Sequence, residues 1–123
     1  MAAAYVDGYV LSVPKKNRVA YRKMAREGAA VWKKFGALEY RECRADDVAG
    51  HPGTLPFPKM AKAKPDEEVW FSFVVFRSKK DRNQINKRVM EYFTKKYDEK
   101  QMASMPFDMK RMAVGGFAVE VEA

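Results

Sequence analysis

The most apolar stretch of the chain is residues 69–76, which read VWFSFVVF and contain Ser72 as their one polar residue. In an extended strand, alternate side chains point to opposite faces, and here both sets are hydrophobic. A strand with one face in water normally alternates apolar and polar residues. We therefore predict a central strand in a sheet that is covered on both faces.

Hydrophobic periodicity predicts four strands and two long helices. Alternation with a period of two predicts strands over residues 5–13, 37–45, 67–77 and 112–121. Apolar residues recur every three or four positions over residues 15–35, and again from the N-capping Ser78 to about residue 97. Between the second and third strands, residues 46–66 are rich in Gly and Pro and are predicted to form a long loop.

The order of these elements is strand, helix, strand, strand, helix, strand. With right-handed crossovers, this order predicts a four-stranded antiparallel sheet with both helices on one face, the ferredoxin-like plait of the α+β class. We expect residues 1–123 to form a single domain of this kind. Because two helices cover only one face of the central strand, its other face predicts a partner, and a homodimer is the simplest.

The chain carries a formal net charge of +8 over 123 residues. Such a charge can indicate an anionic partner such as nucleic acid. The alternative is that Lys and Arg cover the solvent faces of the two helices, and their spread along both helices favours it. A nucleic-acid-binding plait is further disfavoured because the central strand lacks the Lys/Arg-Gly-aromatic opening of the RNA-recognition module.

Cysteine and histidine each occur once, as Cys43 and His51. This excludes an intramolecular disulfide and argues against a Cys- or His-rich metal site, so we predict no metal and no cofactor. Cys43 falls within a predicted strand and is expected to be a small buried hydrophobe. No stretch approaches membrane-spanning length and the first residues do not resemble a secretory signal, so we expect a cytoplasmic protein.

Three segments of the chain carry a family resemblance: YVDGYVLSVPKKN, GALEYRECRADDV and MPFDMKRMAVGGF. They are similar to the YbaA-like family of uncharacterised bacterial proteins, and the similarity spans nearly the whole chain. The resemblance implies a dimeric α+β barrel, a fold shared with antibiotic-biosynthesis monooxygenases. It implies no established activity, so it assigns no catalytic residue.

The sequence contains none of the standard catalytic signatures for nucleotide, zinc or serine-nucleophile chemistry, so it leaves open whether the protein is an enzyme. A group of polar residues on or beside the predicted strands forms a candidate pocket: Asp7, Tyr9, Glu39, Arg41, Ser72, Asp108 and Arg111. Carboxylates beside arginines in a partly dry site can bind an acidic substrate or transfer a proton. The alternative, which we favour, is that they form structural ion pairs. For Asp108 in particular, we favour the capping of a turn before the last strand.

Two hypotheses for the function follow. In the first, the protein binds a small molecule in a pocket between sheet and helices, where the buried hydroxyl of Ser72 marks a place for a ligand. In the second, it is a non-catalytic dimer with a structural or regulatory role. A closed, polar-lined cavity favours the first, whereas a cavity filled by the protein's own aromatic and Met side chains favours the second.

Overall fold

The computed structural model describes residues 4–123, and its strands form one antiparallel sheet. The strands are β1 (Tyr5–Pro14), β2 (Glu39–Arg44), β3 (Glu67–Phe76) and β4 (Ala113–Ala118). Their order across the sheet is β2-β3-β1-β4. The two longest strands, β1 and β3, therefore lie in the centre, as the apolar stretch in β3 predicts.

Two long helices and two short ones connect the strands. They are α1 (Arg18–Lys34), α2 (Phe57–Met60), α3 (Lys79–Lys96) and α4 (Glu99–Ala103). Single 3-10 turns, Lys15–Asn17 and Met109–Arg111, precede α1 and β4. The predicted cap of α3 is confirmed, because the Ser78 hydroxyl oxygen accepts a hydrogen bond from the Asp81 amide at 3.1 Å.

Both α1 and α3 pack on the same face of the sheet, which we call the helix face. At one end, Val31 of α1 and Val89 of α3 pack against Phe76, which is fully buried. At the other end, Tyr21 and Ala25 of α1 pack against Trp70. Each helix thus buries the stripe that its sequence periodicity predicts.

The opposite face of the sheet, which we call the open face, is apolar and only partly covered by this chain. It consists of the alternate strand residues Val6, Val10, Phe71, Phe73, Val75 and Phe117. Phe71 is 43% exposed and Phe117 is 63% exposed. One end is covered, since the Ser12 hydroxyl donates a hydrogen bond of 3.1 Å to the carbonyl of Ala61, just after α2. The chain itself therefore covers β3 fully on one face alone.

Some sequence-based expectations differ from the structure in detail. The predicted loop over residues 46–66 contains α2, a single helical turn that begins after Pro56 with a second proline at its N-terminus. The last strand ends at Ala118, earlier than predicted. The expectation that Cys43 is buried is wrong, because it lies on the open face of the edge strand β2, where it is exposed.

Candidate functional site

Three carboxylates lie on the helix face of the sheet, and they have different surroundings. Asp7 on β1 and Glu68 on β3 are buried, and Glu42 on β2 is partly buried. The strand register places Glu42, Ser72 and Tyr9 in one row across β2, β3 and β1. Two predicted pocket residues, Tyr9 and Ser72, are thereby brought beside a carboxylate that was not among the predicted residues.

Asp7 is held by side chains of α3. The Arg82 Nε donates to both carboxylate oxygens of Asp7, at 2.9 and 3.1 Å, and the Asn86 amide donates at 3.0 Å. Asn86 in turn accepts a hydrogen bond of 2.9 Å from the Trp32 indole of α1. This chain of contacts joins β1, α3 and α1, so Asp7 has the surroundings of a structural ion pair.

Glu68 is held in a similar way by α1. The Arg18 guanidinium donates two hydrogen bonds to its carboxylate, at 2.8 and 2.7 Å. The Trp70 indole donates a third, at 3.3 Å. The hydrogen bonds from Arg18 lower the pKa of Glu68, against an opposing effect of burial. Glu68 is therefore ionised at neutral pH and fixes the start of α1 to the sheet.

Glu42 has phenol partners instead of a cation. Tyr21 of α1 donates to one carboxylate oxygen at 2.8 Å, and Tyr40 of β2 donates to the other at 2.6 Å. The glycine at position 28 makes room for this arrangement, because a Cβ there would lie 3.2 Å from the Tyr40 hydroxyl oxygen. α1 therefore lies close to the sheet at Gly28.

Burial sets the protonation of this cluster. It raises the pKa of Glu42, and the hydrogen bonds from Tyr40 and Tyr21 oppose that effect only in part. Burial likewise raises the pKa of Tyr21 and Tyr40, with the nearby charge of Glu42 adding to it. It raises the pKa of Tyr9 to about 12, with the charge of Asp7 adding to it. The phenols therefore stay protonated and donate, while Glu42 is the group of this cluster that can exchange a proton.

Glu42 faces a cleft of about 320 Å³ between α1 and the β2 edge of the sheet. The cleft opens to solvent. Its lining combines three arginines with the glutamate, aromatic rings and two alanines: Arg22, Ala25, Arg26, Ala29, Tyr40, Glu42, Arg44 and Trp70. The cleft is therefore not the closed, polar-lined cavity that would favour a ligand pocket outright, and two aromatic side chains of the protein, Tyr40 and Trp70, are among those that line it.

The remaining predicted residues lie elsewhere. Glu39 and Arg41 point to the open face, where the Arg41 Nε donates to the Glu39 carboxylate. Asp108 accepts a hydrogen bond of 3.0 Å from the Lys110 amide and so caps the 3-10 turn before β4. The structure therefore does not gather the seven predicted residues into one pocket.

Arg111 forms a second structural ion pair at that turn. Its guanidinium donates two hydrogen bonds of 2.7 Å to the Glu67 carboxylate and one of 3.0 Å to the carbonyl of Lys62. The hydrogen bonds from Arg111 lower the pKa of Glu67 to about 2. This pair ties the segment before β4 to the start of β3 and to the loop after α2.

The predicted β2 residues Glu39 and Arg41 lie on the opposite face of the strand from Glu42, which is not among the predicted pocket residues. Tyr40, Glu42 and Arg44 share one face of the strand, and Glu39 and Arg41 share the other. A large aromatic residue on an otherwise polar strand indicates the face that packs against the core. The position of Tyr40 was therefore the signal that Glu42 points inward.

Comparison with known proteins identifies the family. The family model described as "Protein of unknown function (DUF1428)" matches residues 4–109. The chain belongs to this family. It is 44% identical over 114 residues to the uncharacterized protein YbaA of Escherichia coli (strain K12). The aligned residues cover 92% of this chain and 93% of that protein. YbaA of Shigella flexneri matches with the same identity and coverage. The family resemblance seen in the sequence motifs is therefore confirmed.

A solved structure confirms the fold. The crystal structure of a dimeric ferredoxin-like protein from an uncultured marine organism matches 98% of this chain and 99% of its own, with a TM-score of 0.60. The two chains are 8% identical, so this similarity concerns the fold alone. The ferredoxin-like α+β fold predicted from the order of strands and helices is confirmed. Among residues 4–123, no helix is long and apolar enough to cross a membrane.

Proposed function

We propose that the protein binds a small molecule in the cleft between α1 and the β2 edge of the sheet. One observation carries this proposal: Glu42 faces the cleft with a raised pKa, with tyrosines and no cation bound to its carboxylate. Groups whose protonation is shifted by burial are concentrated at functional sites. The cleft volume of about 320 Å³ lies at the lower end of the range for small-molecule pockets.

A thermal-shift screen with a broad panel of metabolites tests this proposal. A ligand that binds only the folded protein raises its melting temperature. We expect at least one compound to stabilise the wild type and to lose most of that effect with Glu42→Gln. The matched control is Glu39→Gln, which changes the same group on the opposite face of the same strand. A panel without any stabilising compound, or equal stabilisation of both variants, would contradict the proposal.

We also propose that two copies pair through their open faces. The support is the row of apolar residues there, of which Phe71 and Phe117 are substantially exposed. Apolar patches of this kind on soluble proteins mark interaction surfaces, and homodimers are the commonest oligomers. The ferredoxin-like neighbour is described as dimeric, which is consistent with such pairing. A dimer without a ligand, with a structural or regulatory role, is the second candidate function, and this same surface favours it.

Sedimentation measures the pairing directly. The wild type should sediment at about twice the chain mass of 14.1 kDa, and Phe117→Asp should sediment as a single chain with unchanged circular dichroism. Met90→Asp is the control, because Met90 is 52% exposed on α3, away from the sheet. A wild-type monomer at micromolar concentration would exclude the dimer and leave the ligand proposal intact.

A further inference from the structure

We infer that the occupant of the cleft is a small organic anion, whose anionic oxygens lie among Arg22, Arg26 and Arg44 while a neutral polar group contacts Glu42. This inference rests on the proposed function, since it names the class of ligand for the same cleft. It follows from the charges of the lining residues, from the positions of the arginines on α1, and from the apolar side chains beside them.

The charges of the lining are unbalanced. Three of the lining side chains are guanidinium groups and one, Glu42, is a carboxylate. Within residues 4–123, neither Arg22 nor Arg26 forms an ion pair. The protein therefore presents positive charge at the cleft that its own carboxylates do not neutralise.

Arg44 is nearly as free to bind a ligand. Its nearest carboxylate oxygen, on Glu68, lies 3.8 Å away, beyond ordinary hydrogen-bond distance. That carboxylate already accepts two short hydrogen bonds from Arg18. Turning the Arg44 guanidinium toward an anion in the cleft would therefore break no direct hydrogen bond to Glu68.

The two arginines of α1 that line the cleft lie on the same side of the helix. Arg22 and Arg26 stand four residues apart on α1, and like charges at this spacing destabilise a helix. A bound anion removes that repulsion. The pair of alanines, Ala25 and Ala29, lines the same side of the cleft and leaves space between helix and sheet.

The remaining lining residues indicate the chemistry of the rest of the ligand. Ala25, Ala29 and the ring of Trp70 give the cleft an apolar part of its lining that suits a carbon skeleton. Glu42 would repel a second anion when it is ionised, so the group it contacts is a hydroxyl or another neutral polar group. Guanidinium groups bind carboxylate and phosphate with two parallel hydrogen bonds, so either group suits the three lining arginines.

Nuclear magnetic resonance titrations with a matched pair of probes test the inference. The anionic probe is 4-hydroxybenzoate, the neutral probe is 4-hydroxybenzamide, and inorganic phosphate reports the anion subsite alone. At constant ionic strength and neutral pH, we expect 4-hydroxybenzoate to shift the amide signals of residues 22–29 and 40–44 saturably at millimolar concentration. The benzamide should bind at least about tenfold more weakly, because a charged hydrogen bond contributes more than a neutral one.

Charge-removing variants distinguish binding in the cleft from non-specific attraction of an anion to a protein with a net charge of +8. The double variant Arg22→Gln, Arg26→Gln should weaken 4-hydroxybenzoate binding at least about tenfold. The control is Arg88→Gln together with Lys87→Gln, which removes the same charge from exposed positions on α3 and should change affinity less than about twofold. Circular dichroism verifies that both double variants keep their helices.

The possible failures are distinguishable. If the benzamide binds as tightly as the benzoate, or if both double variants weaken binding equally, the anion inference falls while a small-molecule cleft remains. If neither organic probe nor phosphate shifts the signals of the cleft, the anion inference also falls. The proposed function is then decided separately by the metabolite screen and the Glu42→Gln variant.

Discussion

Asp7 and Glu42 lie on the same face of one sheet, two strands apart, and differ in what binds their oxygens. Asp7 accepts hydrogen bonds from a guanidinium and an amide of α3. Glu42 accepts hydrogen bonds from two phenols, while the nearby arginines line the cleft without forming an ion pair to it. A carboxylate bound by a cation has its charge neutralised and holds two elements together. Glu42 has no such partner among the described residues, so its ionised form bears the free-energy cost of partial burial.

The partners of the two carboxylates distinguish Asp7 from Glu42 more clearly than burial does. Asp7 is more deeply buried than Glu42, yet it has an arginine partner that the fold supplies. Glu67 likewise has an arginine partner. The raised pKa of Glu42, the open cleft, and two lining arginines without an ion pair among residues 4–123, Arg22 and Arg26, together make Glu42 the first candidate for a ligand contact. Four substitutions address this difference, each measured at one fixed protein concentration because the stability of the proposed dimer would depend on concentration.

Asp7→Asn should lower the free energy of unfolding by about 3 kcal/mol, because it leaves the charge of Arg82 without its buried partner. Urea denaturation at pH 7 measures the change. Asp81→Asn is the control, since its contact with Arg77 is exposed and 3.9 Å long, and should cost less than about 1 kcal/mol. An equal effect of the two substitutions would show that Asp7 does not act as a buried structural anchor.

Arg111→Gln should lower the free energy of unfolding at pH 7 by about 2 kcal/mol, because Glu67 keeps its buried position but loses two charged hydrogen bonds. The depressed pKa of Glu67, about 2, stabilises the folded state above the unfolded value of 4.5, and this stability is lost as pH falls toward 2. Urea denaturation at a series of pH values should therefore show the wild type approaching the variant below pH 4.5. A difference that is independent of pH would contradict the ion pair as its source.

Glu42→Gln should change stability by about 1 kcal/mol at most, with a pH dependence of the opposite sign. A raised pKa means that the folded protein favours protonated Glu42, so wild-type stability falls as pH rises from the unfolded value of 4.5 through the folded one. The variant lacks this loss, so its stability relative to the wild type should increase with pH. Chemical denaturation between pH 4 and 8 measures it, and a relative stability that decreases with pH would overturn the assignment.

Glu27→Gln should have the smallest effect, about 0.5 kcal/mol, although Glu27 has a cation partner. Its carboxylate bridges α1 to Lys96 at 2.5 Å and to the Tyr97 hydroxyl at 2.7 Å, but the Lys96 side chain is 46% exposed. Because Lys96 is exposed, water can replace much of the interaction that the Glu27 carboxylate provides. Denaturation at low and high salt measures the pair, and a loss above about 2 kcal/mol would show that exposure does not decide the ranking.

The fold follows closely from the sequence because its signals are local and repeated. The stripe of Ile85 and Val89 on α3, the Ser78 cap and the two-sided apolar pattern of β3 each predict the element that forms. Together with the order of elements, they leave few topologies that keep right-handed connections. The strand that was hardest to interpret was β2, which is short, polar and at the edge.

The site depends on that edge strand, which explains why only part of it was predicted. Ser72 and Tyr9 were identified as polar residues on apolar strands, and the structure places both in the row of Glu42. The predicted residues Glu39 and Arg41 lie on the opposite face of β2 from Glu42. Because a shift of one residue exchanges the two faces of a strand, and β2 is polar on both, Tyr40 is the residue of β2 that indicates the inward face.

The elements, their order and the apolar open face follow from local sequence patterns, because each depends on residues that are near one another in the chain. Which carboxylates have cation partners depends on the tertiary structure. Asp7 meets Arg82 across 75 positions of sequence, and Glu42 meets Tyr21 across 21. Such contacts exist only after helices pack on the sheet. The difference between a structural carboxylate and a titratable one is therefore a property of the packed fold.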